Sequence, residues 1–298
     1  MGELLLGCSG WSYADTPDNG GWTRIFYPDK STKRLQYYSQ FFNTAEMDSI
    51  FYNKFYSKMT KGTFIGMAKA TPEYFQFSVK VPETITHDKR LDVNKGVITD
   101  FEEFLDKISP LKAANKLGAI LFQLPPSFTV NDFRNIERFL ERLYDNSGNR
   151  NNNYDYAIEF RHPSWKTEGP WEMLKQYNIA AVITDSPSKE NLQFLSDVII
   201  TSDHSFVRFH GRNTKSHYWY DYHYSKEELE PWASKISQIR NKTKVLRVYF
   251  NNHYGGNAVV NALQFKEMTG TQLSNIETRA LSHAEDYISK QQQQQRLD

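Results

Sequence analysis

The chain has 298 residues, 39% of them hydrophobic and 24% charged, with a formal net charge of +1. This length and mix suit one large soluble domain or two ordinary ones, and the near-neutral balance gives no global pull toward nucleic acid or an anionic membrane. The single cysteine, Cys8, excludes an internal disulfide and, with no apolar run long enough to span a bilayer, fits a reducing, cytoplasmic setting.

Short apolar strands alternate with helix-period segments along the whole chain. The start, MGELLLGCSG, contains a Leu-Leu-Gly-Cys that resembles a lipoprotein cleavage site. It lacks a basic leader and its apolar run is short, so it reads as a first strand at 4–10. A helix-period segment at 32–42 leads to a strand at 44–51, and a helix at 60–70 leads to a strand at 75–81. The pattern repeats with a helix at 100–116, a strand at 118–123, a helix at 131–144 and a strand at 155–161. Residues 146–153 (NSGNRNNN) read as a polar loop. Then come a helix at 169–177, a strand at 180–185, a helix at 188–196, a strand at 205–210, a helix at 226–240 and a strand at 245–251. Helices at 257–268 and 275–290 follow. This is the arithmetic of an α/β protein with a single-domain (β/α)8 TIM barrel over residues 1–290. Residues 291–298 form a Gln-rich tail expected to be disordered. A doubly wound open sheet fits less well, because no Gly-rich phosphate loop follows the first strand.

Side chains alternate faces along a strand. One face is apolar: Phe75, Phe77 and Val79; Ile120 and Phe122; Ile158 and Phe160; Val207 and Phe209; Leu246, Val248 and Phe250. It should pack against the outer helices. The other carries Glu46 and Asp48, Lys80, Gln123, Glu159 and Arg161, Asp185, Arg208 and His210, and Arg247, Tyr249 and Asn251. In a barrel that set points inward, mostly at the C-terminal strand ends where barrel active sites are built. Lys80, Arg161, Arg208 and Arg247 balance Glu46, Asp48, Glu159 and Asp185. A structural ion-pair plug would need the same residues, but barrel interiors are ordinarily filled by Val, Ile and Leu.

These residue types suit acid–base chemistry on a polar ligand. Glu46, Glu159, Asp185 and His210 are candidate catalytic groups, because neighbouring charges drive carboxyl and imidazole pKa values apart. Lys80, Arg161 and Arg208 are candidates for gripping an anion. Gln123, His162, Trp11, Tyr249, Asn251 and Asn252 complete a candidate binding set, with His162 also placed to anchor its own loop. The loop after Gly10 and the loop from His210 to Tyr224 are rich in rings, which suit stacking on sugars or bases. No cofactor is expected. Glu46, Glu159, Asp185, His210 and His253 offer ligand atoms for a divalent metal, yet no HExxH, paired CxxC or His-X-His spacing supports one. Cys8 reads as a small core residue.

Seven segments converge on one family. GCSGWSY at 7–13, FYP at 26–28, AEMDSIFY at 45–52, LFQLPPSF at 121–128, EFRHPSW at 159–165, VRFHGRN at 207–213 and YFNNHYGG at 249–256 resemble the YecE-like family, domain of unknown function 72. The resemblance runs from about residue 4 to residue 268 and implies a TIM barrel without implying a reaction. It marks Glu46, Lys80, Gln123, Glu159, Arg161, His162, Asp185, Arg208, His210, Gly211, Asn251 and Asn252 as typical. Two departures stand out: Asp48 where the family usually has Asn, and GMAKATP where a Trp often precedes Thr-Pro. The expectation is an enzyme, of hydrolase, lyase or isomerase type, acting on a sugar-like or phosphorylated small molecule. The alternatives are a nucleic-acid-processing or nucleic-acid-binding protein, by analogy with barrel endonucleases, and a non-catalytic ligand sensor.

Overall fold

The computed structural model describes residues 1–145, 154–187, 197–215 and 218–294. Its strands are β1 (Glu3–Cys8), β2 (Thr44–Met47), β3 (Gln76–Lys80), β4 (Leu117–Gln123), β5 (Asp155–Glu159), β6 (Ala180–Asp185), β7 (His204–Phe209) and β8 (Val245–Phe250). All pair in parallel, in the order β1-β8-β7-β6-β5-β4-β3-β2. Helices connect them: α1 (Arg34–Tyr38), α2 (Asn53–Tyr56), α3 (Lys61–Lys69), α4 (Val97–Ala113), α5 (Phe133–Asp145), α6 (Glu168–Gln176), α7 (Lys226–Arg240), α8 (Asn257–Met268) and α9 (Asn275–Gln294). The protein is a (β/α)8 TIM barrel, as expected.

Several boundaries follow from local chemistry. Thr60 accepts from the Thr63 amide and caps α3, while Ser225 accepts from the Glu228 amide and caps α7. Pro125 and Pro126 stand just beyond β4 and cannot donate to a ladder. The segment expected to be helical over 32–42 keeps only α1, and β2 ends four residues early in a 3-10 turn at Ser49–Phe51. The expected helix at 188–196 and the polar loop at 146–153 lie outside the described residues. The last helix runs through Gln294, four residues into the Gln-rich segment. No helix among the described residues is long and apolar enough to cross a membrane.

The barrel closes at β1 and β2 by an unusual seam. Ser9 bridges Glu46, and the Gly10 amide donates to Glu46 O at 2.8 Å. Below that point side chains make the joint. The Leu6 amide donates to Asn43 Oδ1 at 2.9 Å, and Asn43 Nδ2 returns to Leu4 O at 3.1 Å. The Cys8 amide donates to the Tyr38 hydroxyl at 2.7 Å, which itself donates to Thr44 O at 3.0 Å. A Cβ at position 7 would lie 2.0 Å from Thr44 O, so only Gly7 lets the two edges come this close.

Alternation sorts the core into two parts. The outer apolar set packs against the helices in one large cluster that also holds Cys8. A small inner cluster of Ala119, Leu121, Ala157, Ala180, Val182, Phe206 and Tyr249 forms a dry belt across the lumen. A register shift between Phe77 and Val79 marks a bulge in β4, where Ser78 Oγ accepts the Ala119 amide at 3.1 Å. Polar groups lie above and below the belt.

Candidate functional site

The upper cluster forms where β2, β3, β5, β7 and β8 end. Each contributes the last inward residue of its strand, or a residue just beyond it: Glu46 and Asp48, Lys80, Glu159 and Arg161, Arg208 and His210, and Asn251. Glu46, Glu159 and His210 are completely buried, and Arg208 is 1% exposed.

Arg208 is the hub. Its Nε donates to Glu46 Oε2 at 2.9 Å and its Nη2 to Glu46 Oε1 at 2.6 Å, a bidentate fork. Its Nη1 donates to Glu159 Oε2 at 2.6 Å. The second oxygen of Glu159 accepts from Arg161 Nε at 2.6 Å. His210 Nε2 stands 3.4 Å from Glu159 Oε2, while Asn251 Nδ2 contacts His210 Nδ1 at 3.0 Å. An amide donor on Nδ1 leaves the proton on Nε2, facing the carboxylate. Lys80 Nζ donates to Asp48 Oδ1 at 2.9 Å and lies 3.7 Å from the centre of the Phe51 ring. Gln123 sits on the same inward face, in register with Glu159.

The environment drives these groups apart. Burial pushes the Glu46 carboxyl above its usual range, against the pull of Arg208. Burial also opposes ionisation of Glu159, but Arg208, Arg161 and His210 together hold it well below the usual range. Asp48 is only partly buried, and against its burial Lys80 and Arg208 keep it down at about 2. Burial pushes His210 down to about 4, so its imidazole is neutral at physiological pH. Arg208, facing two carboxylates, holds its proton more firmly than a free guanidinium.

Aromatic residues cover the cluster. The ring of Trp219 lies 5.2 Å from that of His210. Tyr13, His253 and Tyr220 stack in series, with centroids 4.2 and 4.4 Å apart. Gly211 adopts φ 87°, and a Cβ there would meet Trp219 O and Tyr222 Cβ, each at 2.8 Å; the loop after β7 doubles back over the mouth only because this residue is glycine.

Glu46, Lys80, Gln123, Glu159, Arg161, Arg208, His210 and Asn251 therefore come together as the sequence suggests. Other candidates do not. Asp185 points outward, on the face of β6 shared by Ala181 and Ile183, and accepts from Arg212 Nε and Nη2, the Tyr224 hydroxyl and Trp232 Nε1 at 2.6–2.8 Å. Thr184 takes the inward place instead. Arg247 points into the lumen below the belt and pairs with Asp155 at 2.8 Å, near buried His204, so the four-against-four balance at the mouth is three against three. Tyr249 belongs to the belt, bonded to Ser78 and Thr44 at 2.7 Å. Asn252 faces away and ties Tyr222 O to Asn261. His162 holds its own turn through Ser164, and Trp11 packs edge-on against Phe77 in the outer core.

Sequence reasoning passed over Phe51, noted Trp219 only as one ring of the loop from His210 to Tyr224, and listed Lys80 and Asp48 among the inward charges without pairing them. Parity alone flagged Asp48; the ring contacts arise from loops with no periodic signal. Among the described residues no three His, Cys, Asp or Glu side chains gather to hold a metal ion.

Comparison with known proteins places this arrangement in a family. The UPF0759 protein YunF of Bacillus subtilis is 28% identical over 299 residues, covering 93% of this chain and 99% of its own length. The UPF0759 protein YecE of Escherichia coli is 23% identical over 260 residues, covering 80% of this chain and 83% of its own. A crystal structure of a DUF72 family protein from Thermotoga maritima superposes with a TM-score of 0.74 at 32% identity, over 89% of this chain and 98% of that one. A DUF72 family protein from Enterococcus faecalis, 24% identical, shares the fold with a TM-score of 0.71 over 91% of this chain and 97% of that one. The profile described as "Protein of unknown function DUF72" matches residues 5–285, and the chain belongs to that family.

Proposed function

We propose that the protein is an enzyme that binds a small polar anion, such as a sugar phosphate, at the C-terminal mouth and transforms it by acid–base chemistry. The observation that carries this reading is Arg208 gripping two buried carboxylates whose protonation preferences diverge. Two carboxyls whose pKa values are driven in opposite directions are a pairing that proton-transfer chemistry uses. In this reading Glu46 supplies the acid, Glu159 with neutral His210 supplies the base side, and Arg161 and Lys80, at the edge of the buried cluster, grip the anion. Asn251 positions His210. We place the reaction in a reducing, cytoplasmic compartment, in keeping with the lone cysteine.

The test is a panel of sugar phosphates scored by thermal shift and by turnover. Binding should be lost at least tenfold in Arg161→Gln. Turnover should fall about 100-fold or more in His210→Gln, the scale of a lost general acid or base, while binding survives. Binding without turnover in the unmodified protein would instead make it a sensor, and no binding at millimolar ligand would end the reading.

One observation favours a second reading, nucleic-acid binding. Tyr52 and Phe55 are each 46% exposed on the rim, with Lys54 Nζ 5.8 and 5.0 Å from their ring centres. Exposed rings beside a cation suit stacked bases. A steep salt dependence of oligonucleotide binding would support it, and no binding at low salt would remove it.

A further inference from the structure

Lys80 and Lys116 are both buried, yet their surroundings differ. Lys116 Nζ donates to Ala68 O at 2.6 Å, Thr71 O at 2.7 Å and Thr71 Oγ1 at 3.0 Å, which fills its three N–H bonds and ties the approach to β4 to the end of α3. Lys80 Nζ has Asp48 on one side and the face of Phe51 on the other. Burial lowers its pKa, and the nearby Arg208 and Arg161 lower it further, against the attraction of Asp48. The Phe51 face and Asp48 favour the ammonium, whereas burial and the two neighbouring guanidiniums favour the free amine, the setting in which a lysine becomes a nucleophile rather than a point charge. The side chains of Asp48 and Arg161, 30% and 11% exposed, are the neighbours of Lys80 that lie nearest the surface.

We propose that Lys80 forms an iminium with a small aldehyde or ketone that carries a carboxylate or phosphate, the anionic group resting on Arg161. This rests on the reading of the mouth as an anion-binding acid–base site and names its substrate class. Asp48, 2.9 Å from Nζ, takes one proton from the ammonium and frees the lone pair. Nζ then bonds to the carbonyl carbon as the C=O π pair moves to oxygen, which regains that proton from Asp48. A second proton passes from nitrogen to the hydroxyl through the same carboxylate, and water leaves as the C=N bond forms. The ammonium and the carbonyl compound have become a protonated iminium and one water, with charge conserved and no oxidant or reductant consumed.

The experiment is reductive trapping of the full chain with pyruvate, dihydroxyacetone phosphate and acetone, each with sodium borohydride, read by intact mass and peptide mapping. The expected result is a gain of the carbonyl compound's mass less one oxygen, on the Lys80 peptide and not the Lys116 peptide. An anionic probe should label at least tenfold more than acetone. Lys80→Arg, which keeps the charge and the Asp48 pair, should fold and lose the label, and Asp48→Asn should slow labelling at least tenfold while Lys80 stays in place. Labels scattered over surface lysines, or persisting in Lys80→Arg, would overturn the proposal. A thermal shift by either anionic probe that depends on Arg161, without any label on Lys80, would also overturn it while leaving the anion-binding mouth standing. Neither label nor shift would remove both.

Discussion

Arg208 shows why residue type alone does not assign a role. Three of its N–H donors, one on each nitrogen, are directed at two carboxylates, and it is 1% exposed. It is therefore the scaffold of the mouth rather than a ligand clamp. In the proposed function the clamp is assigned to Lys80 and Arg161, whose side chains are 6% and 11% exposed. Asp185 makes the complementary point. Its carboxylate is fully engaged outside the barrel, with Arg212, Tyr224 and Trp232. Asp185→Ala should cost about 2–4 kcal/mol, mainly by leaving the buried Tyr224 and Trp232 donors unpaired, with little from half-exposed Arg212. Urea unfolding measures that loss, and ligand affinity at the mouth should stay within twofold. A large drop in affinity at unchanged stability would return Asp185 to the site. Its placement was illegible because β6 reads AAVITD, with no charged residue before its last position, so no polar–apolar alternation fixes the face that Asp185 takes. The mixed strands β5 and β7, by contrast, place Glu159 and Arg208 correctly from parity alone.

At the scale of elements, the strands were readable because each is a short apolar run bounded by turn formers. The helices near the first strand were less so: α1 spans only Arg34–Tyr38, since the aromatic residues around it pack in a loop rather than along a helix face. The seam between β1 and β2 left no pattern to read, because it depends on one hydroxyl and one amide arriving from α1 and the turn after it. Tyr38→Phe keeps the ring and removes the hydroxyl, leaving the Cys8 amide and Thr44 O without their partner. The expected cost is about 1–3 kcal/mol, seen as a lower urea midpoint with faster amide exchange in β1 than in β4. Equal exchange in the two strands would mean that the seam carries no special share of the closure.

For the whole molecule, buried imidazoles set the response to acid. Burial holds His210 and His253 down at about 4, from an ordinary 6.5. Between those values the unfolded chain binds more protons than the folded one, so stability is present at neutral pH and lost as pH falls from 6.5 toward 4. The slope is up to about 1.4 kcal/mol per pH unit for each histidine. Glu159, held low, extends the loss below pH 4.5. Glu46, held high, works the other way: its contribution is present in acid and fades as pH rises past 4.5, offsetting part of one histidine. Urea midpoints should therefore fall between pH 7 and pH 5, and, since burial also holds His87 at about 4 and lowers His204 and His223, His253→Asn should flatten the fall by about a third or less. Midpoints that hold steady or rise would show that these rings are already charged. The belt of Ala119, Leu121, Ala157, Ala180, Val182, Phe206 and Tyr249 lies between the mouth and the Asp155–Arg247 pair. It makes the barrel a cup and not a pipe, with the charged cluster open to the surface only on the side of the loops that follow the strands.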